Sequence, residues 1–214
     1  MIKKLFLILT LLILLNTAAL AFTQEGSAEY NIYGYQFKQG DSVKFAEKAD
    51  SYMQLWEKTQ NNTEKDFYLQ ESMRYYFLLS QANKDSITAH IGLGKIYDEM
   101  KLDILAKEQF FIAYNMDCKN PELNMRFGDF YYKRQHLIMA LPYYKTAYSN
   151  GYYNSAYLNN KIATIYEKLA DLETAKRFYL VAHKLNPQNI KLIEKIQKLE
   201  KLNYSASQYY LIFK

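Results

Sequence analysis

The sequence predicts an all-α protein, a solenoid built from repeated helical hairpins. One set of residue types recurs between residues 87 and 189 at a spacing of 34 and then 35 residues. That spacing is the length of a helix–turn–helix unit which buries its apolar face only by stacking on its neighbours. The chain also has only seven Gly and three Pro among 214 residues, so few residues interrupt helices.

The three copies share six positions. A large apolar residue precedes a small one, a tyrosine follows, and alanine, an aromatic residue and a second alanine come later. In chain order these positions are Leu93, Phe127, Ile162; Gly94, Gly128, Ala163; Tyr97, Tyr131, Tyr166; Ala106, Ala140, Ala175; Phe110, Tyr144, Tyr179; and Ala113, Ala147, Ala182. We expect the small residues to let paired helices approach closely and the rings to fill the space toward the next hairpin.

This pattern resembles the tetratricopeptide repeat (TPR) family, over about half of the chain. The resemblance implies a right-handed α-α solenoid that binds a protein or peptide. The sequence departs from the family pattern at two positions. His90, Asn124 and Asn159 replace the tryptophan that lies four residues before the small residue. The proline that closes a repeat is present only as Pro187.

The expected organisation has six parts. They are a signal peptide (1–21), a flexible aromatic and polar linker (22–41), a degenerate repeat-like hairpin (42–86), three repeats (87–120, 121–154 and 156–189), a capping helix (190–202) and an aromatic tail (203–214). The last helix has an apolar stripe on one side and lysines, including Lys191 and Lys195, on its remaining surface. This pattern suits the end unit of a solenoid, which needs one solvent-exposed polar face.

The N-terminus has the pattern of an export signal. Lys3 and Lys4 precede an apolar run, and the three residues ending at Ala21 have the small–x–small form of a cleavage site. Asn16 and Thr17 interrupt the run before the roughly 20 residues of a membrane span. We therefore expect cleavage and a periplasmic or extracellular protein, and the alternative is an uncleaved membrane anchor.

Charge and motifs argue against several function classes. Cleavage removes two lysines and lowers the formal net charge from +5 to +3, which is too small to favour nucleic acid. No HExxH, CxxC or Gly-rich phosphate loop is present, so we expect no enzyme, metal or cofactor. Cys118 is the single cysteine. We expect it part-buried in the turn between two repeats, and the alternative is a disulfide to another chain.

The resemblance also implies where a partner binds. In the family the first helix of each repeat lines the concave surface, at positions one and four residues after the small residue and one turn earlier. The corresponding residues are Ile91, Lys95, Asp98, Glu99, Met125, Asp129, Tyr132, Lys133, Tyr157, Asn160, Thr164 and Glu167. This mixed surface suits an extended segment or a helix held by a few aromatic anchors. The Lys, Arg and Asn set with which one subfamily grips chaperone C-termini is not reproduced.

The leading hypothesis is an exported adaptor that holds a protein or peptide, in cell-envelope assembly or secretion. The alternative is a structural, self-associating envelope protein, in which the aromatic tail or Cys118 joins copies of the chain. Membrane contact through an uncleaved N-terminus or the tail, and the oligomeric state, stay open. An enzyme or a carbohydrate-binding protein is the least favoured class, because no residue pattern indicates a catalysed reaction.

Overall fold

The computed structural model describes residues 37–212, with side chains as far as Leu202. Every regular element in that range is helical, which confirms the all-α prediction. The expected signal peptide and most of the expected linker lie outside the described residues, as does the end of the tail. None of the helices in the described range is long and apolar enough to cross a membrane.

Nine α-helices and one short 3-10 turn follow in order along the described chain. They are α1 (Asp41–Lys58), α2 (Asn62–Ala82), α3 (Ile87–Glu99), α4 (Asp103–Met116), α5 (Pro121–Lys133), α6 (Leu137–Ser149), the 3-10 turn (Tyr152–Asn154), α7 (Ala156–Lys168), α8 (Leu172–Leu185) and α9 (Ile190–Ile212). The chain divides into two compact units, Met1–Ile96 and Tyr97–Lys214.

The first unit contains the α1–α2 hairpin. Phe45 and Ala49 of α1 and Leu79 of α2 are buried in its core. The Ser72 hydroxyl donates to the Ala49 carbonyl at 2.9 Å. This contact satisfies a buried hydroxyl and brings the two helices close together. The two helices span residues 41–82, the stretch in which the sequence predicted a degenerate repeat at residues 42–86.

In the second unit the repeat positions form the core. All six alanines of the two alanine positions are fully buried, namely Ala106, Ala113, Ala140, Ala147, Ala175 and Ala182. A Cβ added to Gly128 would lie 2.6 Å from the ring of Tyr144, so only glycine allows α5 and α6 to pack this closely. The small residues therefore act as the sequence predicted, while the ring of Tyr144 packs within its own hairpin.

Two buried asparagines occupy the place of the family's tryptophan. The Asn124 amide donates at 2.8 Å to the carbonyls of Cys118 and Asn120. Asn159 repeats the arrangement with the carbonyls of Tyr153 and Ser155, also at 2.8 Å. Each amide ties the loop before a helix to the first turn of that helix, because a loop carbonyl needs a donor when it is shielded from water.

Cys118 is exposed in the loop between α4 and α5, so the expectation of partial burial was wrong. The Asn124 amide donates to the backbone carbonyl of Cys118, not to its side chain. The thiol therefore stays exposed although the backbone of Cys118 is held.

Helix α9 covers the end of the last hairpin. Leu192, Ile196 and Leu199 are buried in one cluster with Tyr179 and Ala182 of α8. The helix continues past Leu202, where we had placed its end, to Ile212. The added stretch contains no Gly or Pro that would stop a helix.

Candidate functional site

The second unit carries a surface of tyrosine, lysine and carboxylate side chains where α5, α7 and α9 meet. We call it the tyrosine–lysine face. Its residues are Asp129 and Tyr132 of α5, Tyr157, Asn160, Lys161, Thr164 and Glu167 of α7, and Lys195 of α9. Two tyrosines of the second helices donate hydrogen bonds to its carboxylates: Tyr144 of α6 to Asp129, and Tyr179 of α8 to Glu167.

Asp129 organises one end of this face. Its Oδ1 accepts hydrogen bonds from the hydroxyls of Tyr144 and Tyr157, both at 2.7 Å. Burial, and then the nearby carboxylate, raise the pKa of both phenols well above the usual range. Both phenols therefore stay protonated donors, and the half-exposed ring of Tyr157 is held at a fixed position beside the face.

Lys161 lies over two tyrosine rings. Its Nζ is 4.0 Å from the ring centroid of Tyr132 and 5.1 Å from that of Tyr157. Burial lowers the pKa of Lys161, while Asp129 opposes that shift. None of the ion pairs found among the described residues includes Lys161. The rings are therefore its main support.

Lys195 reaches the same face from α9. Its Nζ donates to the hydroxyl of Tyr179 at 2.9 Å and to Oγ1 of Thr164 at 3.2 Å. Tyr179 in turn donates to Oε2 of Glu167 at 2.6 Å. Burial lowers the pKa of Lys195, and the nearby Glu167 opposes the shift. The lysine is thus held by two neutral oxygens instead of a carboxylate.

Six of the residues selected from the sequence come together on this face: Asp129, Tyr132, Tyr157, Asn160, Thr164 and Glu167. Asn160 is notable because its Oδ1 is buried and has no hydrogen-bond partner. The hydroxyl of Thr164 donates to the Asn160 carbonyl at 2.8 Å. Met125 is partly exposed on α5, outside this group.

Three other selected residues form ion pairs that join α3 to α5. Lys133 Nζ donates to Oδ2 of Asp98 at 2.7 Å and to Oε1 of Glu99 at 2.6 Å. Arg134 Nη1 donates to Oδ1 of Asp98 at 2.7 Å and also pairs with Asp103. Because these charged groups already pair with one another, they stabilise the packing of neighbouring repeats. Few of their hydrogen-bonding positions remain for a partner.

The remaining two selected residues lie in the first unit. Ile91 is only 6% exposed, so its side chain is unavailable for contact. Lys95 pairs with Glu57 at 2.6 Å. Neither residue belongs to the tyrosine–lysine face.

Sequence reasoning missed both lysines of this face. Lys161 lies one helical turn after Tyr157, so the helical period could have placed it there. We had assigned Lys195 to the solvent-exposed side of the capping helix. That assignment was wrong, because the Lys195 ammonium donates a hydrogen bond to Thr164 of α7. Among the residues with described side chains, no three of His, Cys, Asp or Glu are grouped so that they could hold a metal ion.

Comparisons with known proteins agree on the fold. No protein-family model matches the sequence, and no curated protein matches it significantly. The structure is similar to that of YrrB, a TPR protein with an unusual peptide-binding site, with a TM-score of 0.58 and 16% identity, over 76% of this chain and 78% of that one. It is also similar to PilF of Pseudomonas aeruginosa, with a TM-score of 0.60 and 18% identity, over 79% and 77%.

A third similar structure is the first TPR domain of Spaghetti (RPAP3), bound to the HSP90 peptide SRMEEVD. The TM-score is 0.50 and the identity 17%, over 55% of this chain and 93% of that one. At such identities the likeness concerns the fold. The chain therefore has the α-α solenoid architecture of TPR proteins, with α9 as its capping helix.

Proposed function

We propose that this protein is an interaction adaptor whose tyrosine–lysine face binds an extended segment of a partner protein. The observation that carries the proposal is the fixed placement of the Tyr132 and Tyr157 rings beside the Lys161 ammonium. Tyr157 is 48% exposed, yet its hydroxyl is bonded to the buried Asp129. A ring that is both accessible and immobile loses little conformational entropy when a ligand covers it.

The placement of the two rings supports a polypeptide as the ligand. Tyr132 of α5 and Tyr157 of α7 belong to the first helices of successive repeats, and both rings lie beside Lys161. An extended segment that crosses from α5 to α7 would reach both rings. Side chains of the segment would then cover the rings of Tyr132 and Tyr157, and such aromatic residues dominate the energetics of many interfaces.

Two structural neighbours are consistent with this class of ligand, since one is named for a peptide-binding site and another holds a bound peptide. For this chain the ligand class rests on the arrangement of its own residues.

We further propose that the adaptor works outside the cytoplasm, in cell-envelope assembly or secretion. This step rests on the positive start, the apolar run and the cleavage pattern that ends at Ala21. Mass spectrometry of the chain recovered from fractionated cells tests it. We expect an N-terminus at Phe22 in the envelope or secreted fraction, and an intact chain in the cytosol would contradict this step alone.

Selection of displayed random octapeptides by the full chain tests the binding function. We expect the wild type to enrich a defined peptide motif. The double variant Tyr132→Ala, Tyr157→Ala should bind the selected peptides at least about tenfold more weakly, equivalent to about 1.4 kcal/mol.

Tyr153→Ala is the matched control, because Tyr153 is an exposed tyrosine of the 3-10 turn and is not one of the residues of this face. It should bind the peptides like the wild type. Circular dichroism would establish that all variants are folded. Equal enrichment by the wild type and the folded double variant would remove the tyrosine–lysine face from the proposal.

A further inference from the structure

We propose that this protein pairs with a second copy of itself through the edge at which the turns of its three repeats lie side by side. We call this edge the turn edge. Its exposed residues are Lys101 and Ile104 of the first repeat, Ile138 and Met139 of the second, and Leu169 and Glu173 of the third. The proposal does not rest on peptide binding, because the turn edge shares no residue with the tyrosine–lysine face.

Two isoleucines supply most of the apolar surface of the turn edge. Ile104 is 84% exposed and Ile138 is 76% exposed, more than any other large hydrophobic side chain in the described part of the chain. Each is the second residue of the second helix of its repeat. Single exposed apolar side chains are common, but neighbours at equivalent positions form a patch, and such patches mark interaction surfaces.

Contacts between the repeats arrange the three turns in one row. Arg134, in the turn before α6, pairs with Asp103 at the start of α4. Lys168 Nζ, at the end of α7, donates to Oε1 of Gln135 in that same turn at 2.8 Å. The starts of α4, α6 and α8 therefore follow one another along a single edge.

The order of side chains along the turn edge favours a second copy as the partner. Lys101 lies at one end and Glu173 at the other, and residues 137–141 between them are all apolar. A row that runs from positive through apolar to negative is complementary to the same row in the opposite direction. A two-fold axis near Ile138 would set Lys101 of each copy opposite Glu173 of the other. At the axis, the uncharged Ile138 and Met139 would meet their counterparts.

The small size of the patch implies weak pairing. Stable interfaces bury roughly 800 Å² on each partner, which is more than a few side chains supply. We therefore expect a dimer with a Kd on the order of 100 µM. Two joined copies would present two tyrosine–lysine faces, so that a partner with two binding segments would meet the second face at a raised effective concentration.

Sedimentation velocity of the full chain, in the presence of a reductant, tests the pairing. The reductant keeps Cys118 from joining two copies through a disulfide. We expect the average mass to rise from one copy toward two as the concentration passes about 100 µM. The double variant Ile104→Ser, Ile138→Ser should dimerise at least about tenfold more weakly, because it removes the apolar centre of the contact.

Ile190→Ser is the matched control for the loss of an exposed isoleucine. Ile190 is 68% exposed at the start of α9 and is not a residue of the turn edge. This variant should dimerise like the wild type. Circular dichroism would establish that all variants are folded.

A charge exchange tests the two-fold arrangement. Lys101→Glu and Glu173→Lys should each weaken the dimer severalfold, because like charges then face each other across the contact. Both substitutions in one chain should restore the wild-type Kd, since every facing pair is again opposite in sign. The exchanged chain has the net charge of the wild type, so the restoration is not an effect of overall charge.

Three results would overturn the inference. One is a wild type that stays a single copy up to about 1 mM. Another is a dimer that the folded double serine variant keeps, because a different surface would then join the copies. The third is a dimer that the serine variant loses but the charge exchange leaves weak. Peptide selection on the tyrosine–lysine face is measured separately, so none of these results decides the proposed function.

Discussion

The hydroxyl of Tyr157 donates to the carboxylate of Asp129 at 2.7 Å, and so joins the first helices of two successive repeats. Asp129 also accepts from Tyr144 of its own hairpin at the same distance. One buried carboxylate therefore holds three helices, α5, α6 and α7, in a fixed relation. The aromatic surface that we propose for partner binding is part of this network.

The two bonds to Asp129 should contribute unequally to stability. Tyr144 is fully buried, whereas Tyr157 is half exposed, so water can replace the lost partner more easily at Tyr157. We expect Tyr157→Phe to lower the free energy of unfolding by about 1 kcal/mol and Tyr144→Phe by about 2–3 kcal/mol. The double variant should lose more than the sum, since Asp129 is then left without either donor. Urea unfolding of the four proteins measures these values, and equal effects of the single variants would contradict the argument.

The ion pairs between α3 and α5 provide a second test. Arg134 pairs with both Asp98 and Asp103, but the side chain of Asp98 is 7% exposed and that of Asp103 is 57% exposed. Asp98→Asn should cost about 3 kcal/mol, because it removes the buried partner of two cations. Asp103→Asn should cost less than about 1 kcal/mol, because solvent screens an exposed pair. Thermal unfolding in low and high salt checks the ranking, and a larger loss in Asp103→Asn would reverse our view of which carboxylate stabilises the repeat contact.

Much of the fold could be predicted because its packing is local and recurs. Alanine and aromatic residues at one spacing, such as Ala140 and Tyr144, report the contacts within a hairpin, and the same contacts repeat along the chain. The recurring spacing did not reveal how Asn124 and Asn159 replace tryptophan. That required the positions of the loop carbonyls that each amide bonds.

The candidate site was less predictable because it depends on contacts between repeats. Lys133 was selected as a partner-facing residue, but Asp98 lies 35 positions away in sequence and neutralises it. Lys195 lies 31 positions from Thr164, and only the docking of α9 brings the two together. Single-helix periodicity identifies the face of a helix, but not which charges on neighbouring helices meet.

The turn between the paired helices of each repeat makes a further prediction. Lys101, Gln135 and Ala170 occupy equivalent positions and have left-handed backbones with φ of 61°, 61° and 62°. A residue with a Cβ pays roughly 1–2 kcal/mol in this region, whereas glycine does not. Part of that gain is lost because glycine is more flexible in the unfolded chain, so Ala170→Gly should stabilise the protein by about 0.5–1 kcal/mol.

The opposite change at the same position is the control. Ala170→Val should destabilise by more than 1 kcal/mol, roughly, because a β-branched residue tolerates positive φ poorly. Gln135→Gly, in the preceding repeat, should stabilise like Ala170→Gly. Differential scanning calorimetry gives all three values, and a lower melting temperature for both glycine variants would show that another constraint sets these turns.

Tyr143 predicts how stability changes at alkaline pH. Its ring lies 4.4 Å from that of Phe127 and stacks on Tyr131 at 5.6 Å between ring centroids. Burial, with smaller effects of Tyr131 and Tyr114, raises the pKa of Tyr143 to about 12. In the unfolded chain a tyrosine loses its proton near pH 10. Between about pH 10 and 12 the unfolded state therefore binds fewer protons than the folded state, and stability falls as pH rises.

Tyr143→Phe removes this titration and should make the alkaline loss of stability shallower. Tyr153→Phe, which removes an exposed hydroxyl, controls for the substitution itself. The free energy of unfolding in urea, measured at pH 8 and at pH 11, gives the slope for each protein. If the Tyr143→Phe slope equals that of the wild type while the variant remains folded, the aromatic cluster around Phe127 does not shield this hydroxyl from water.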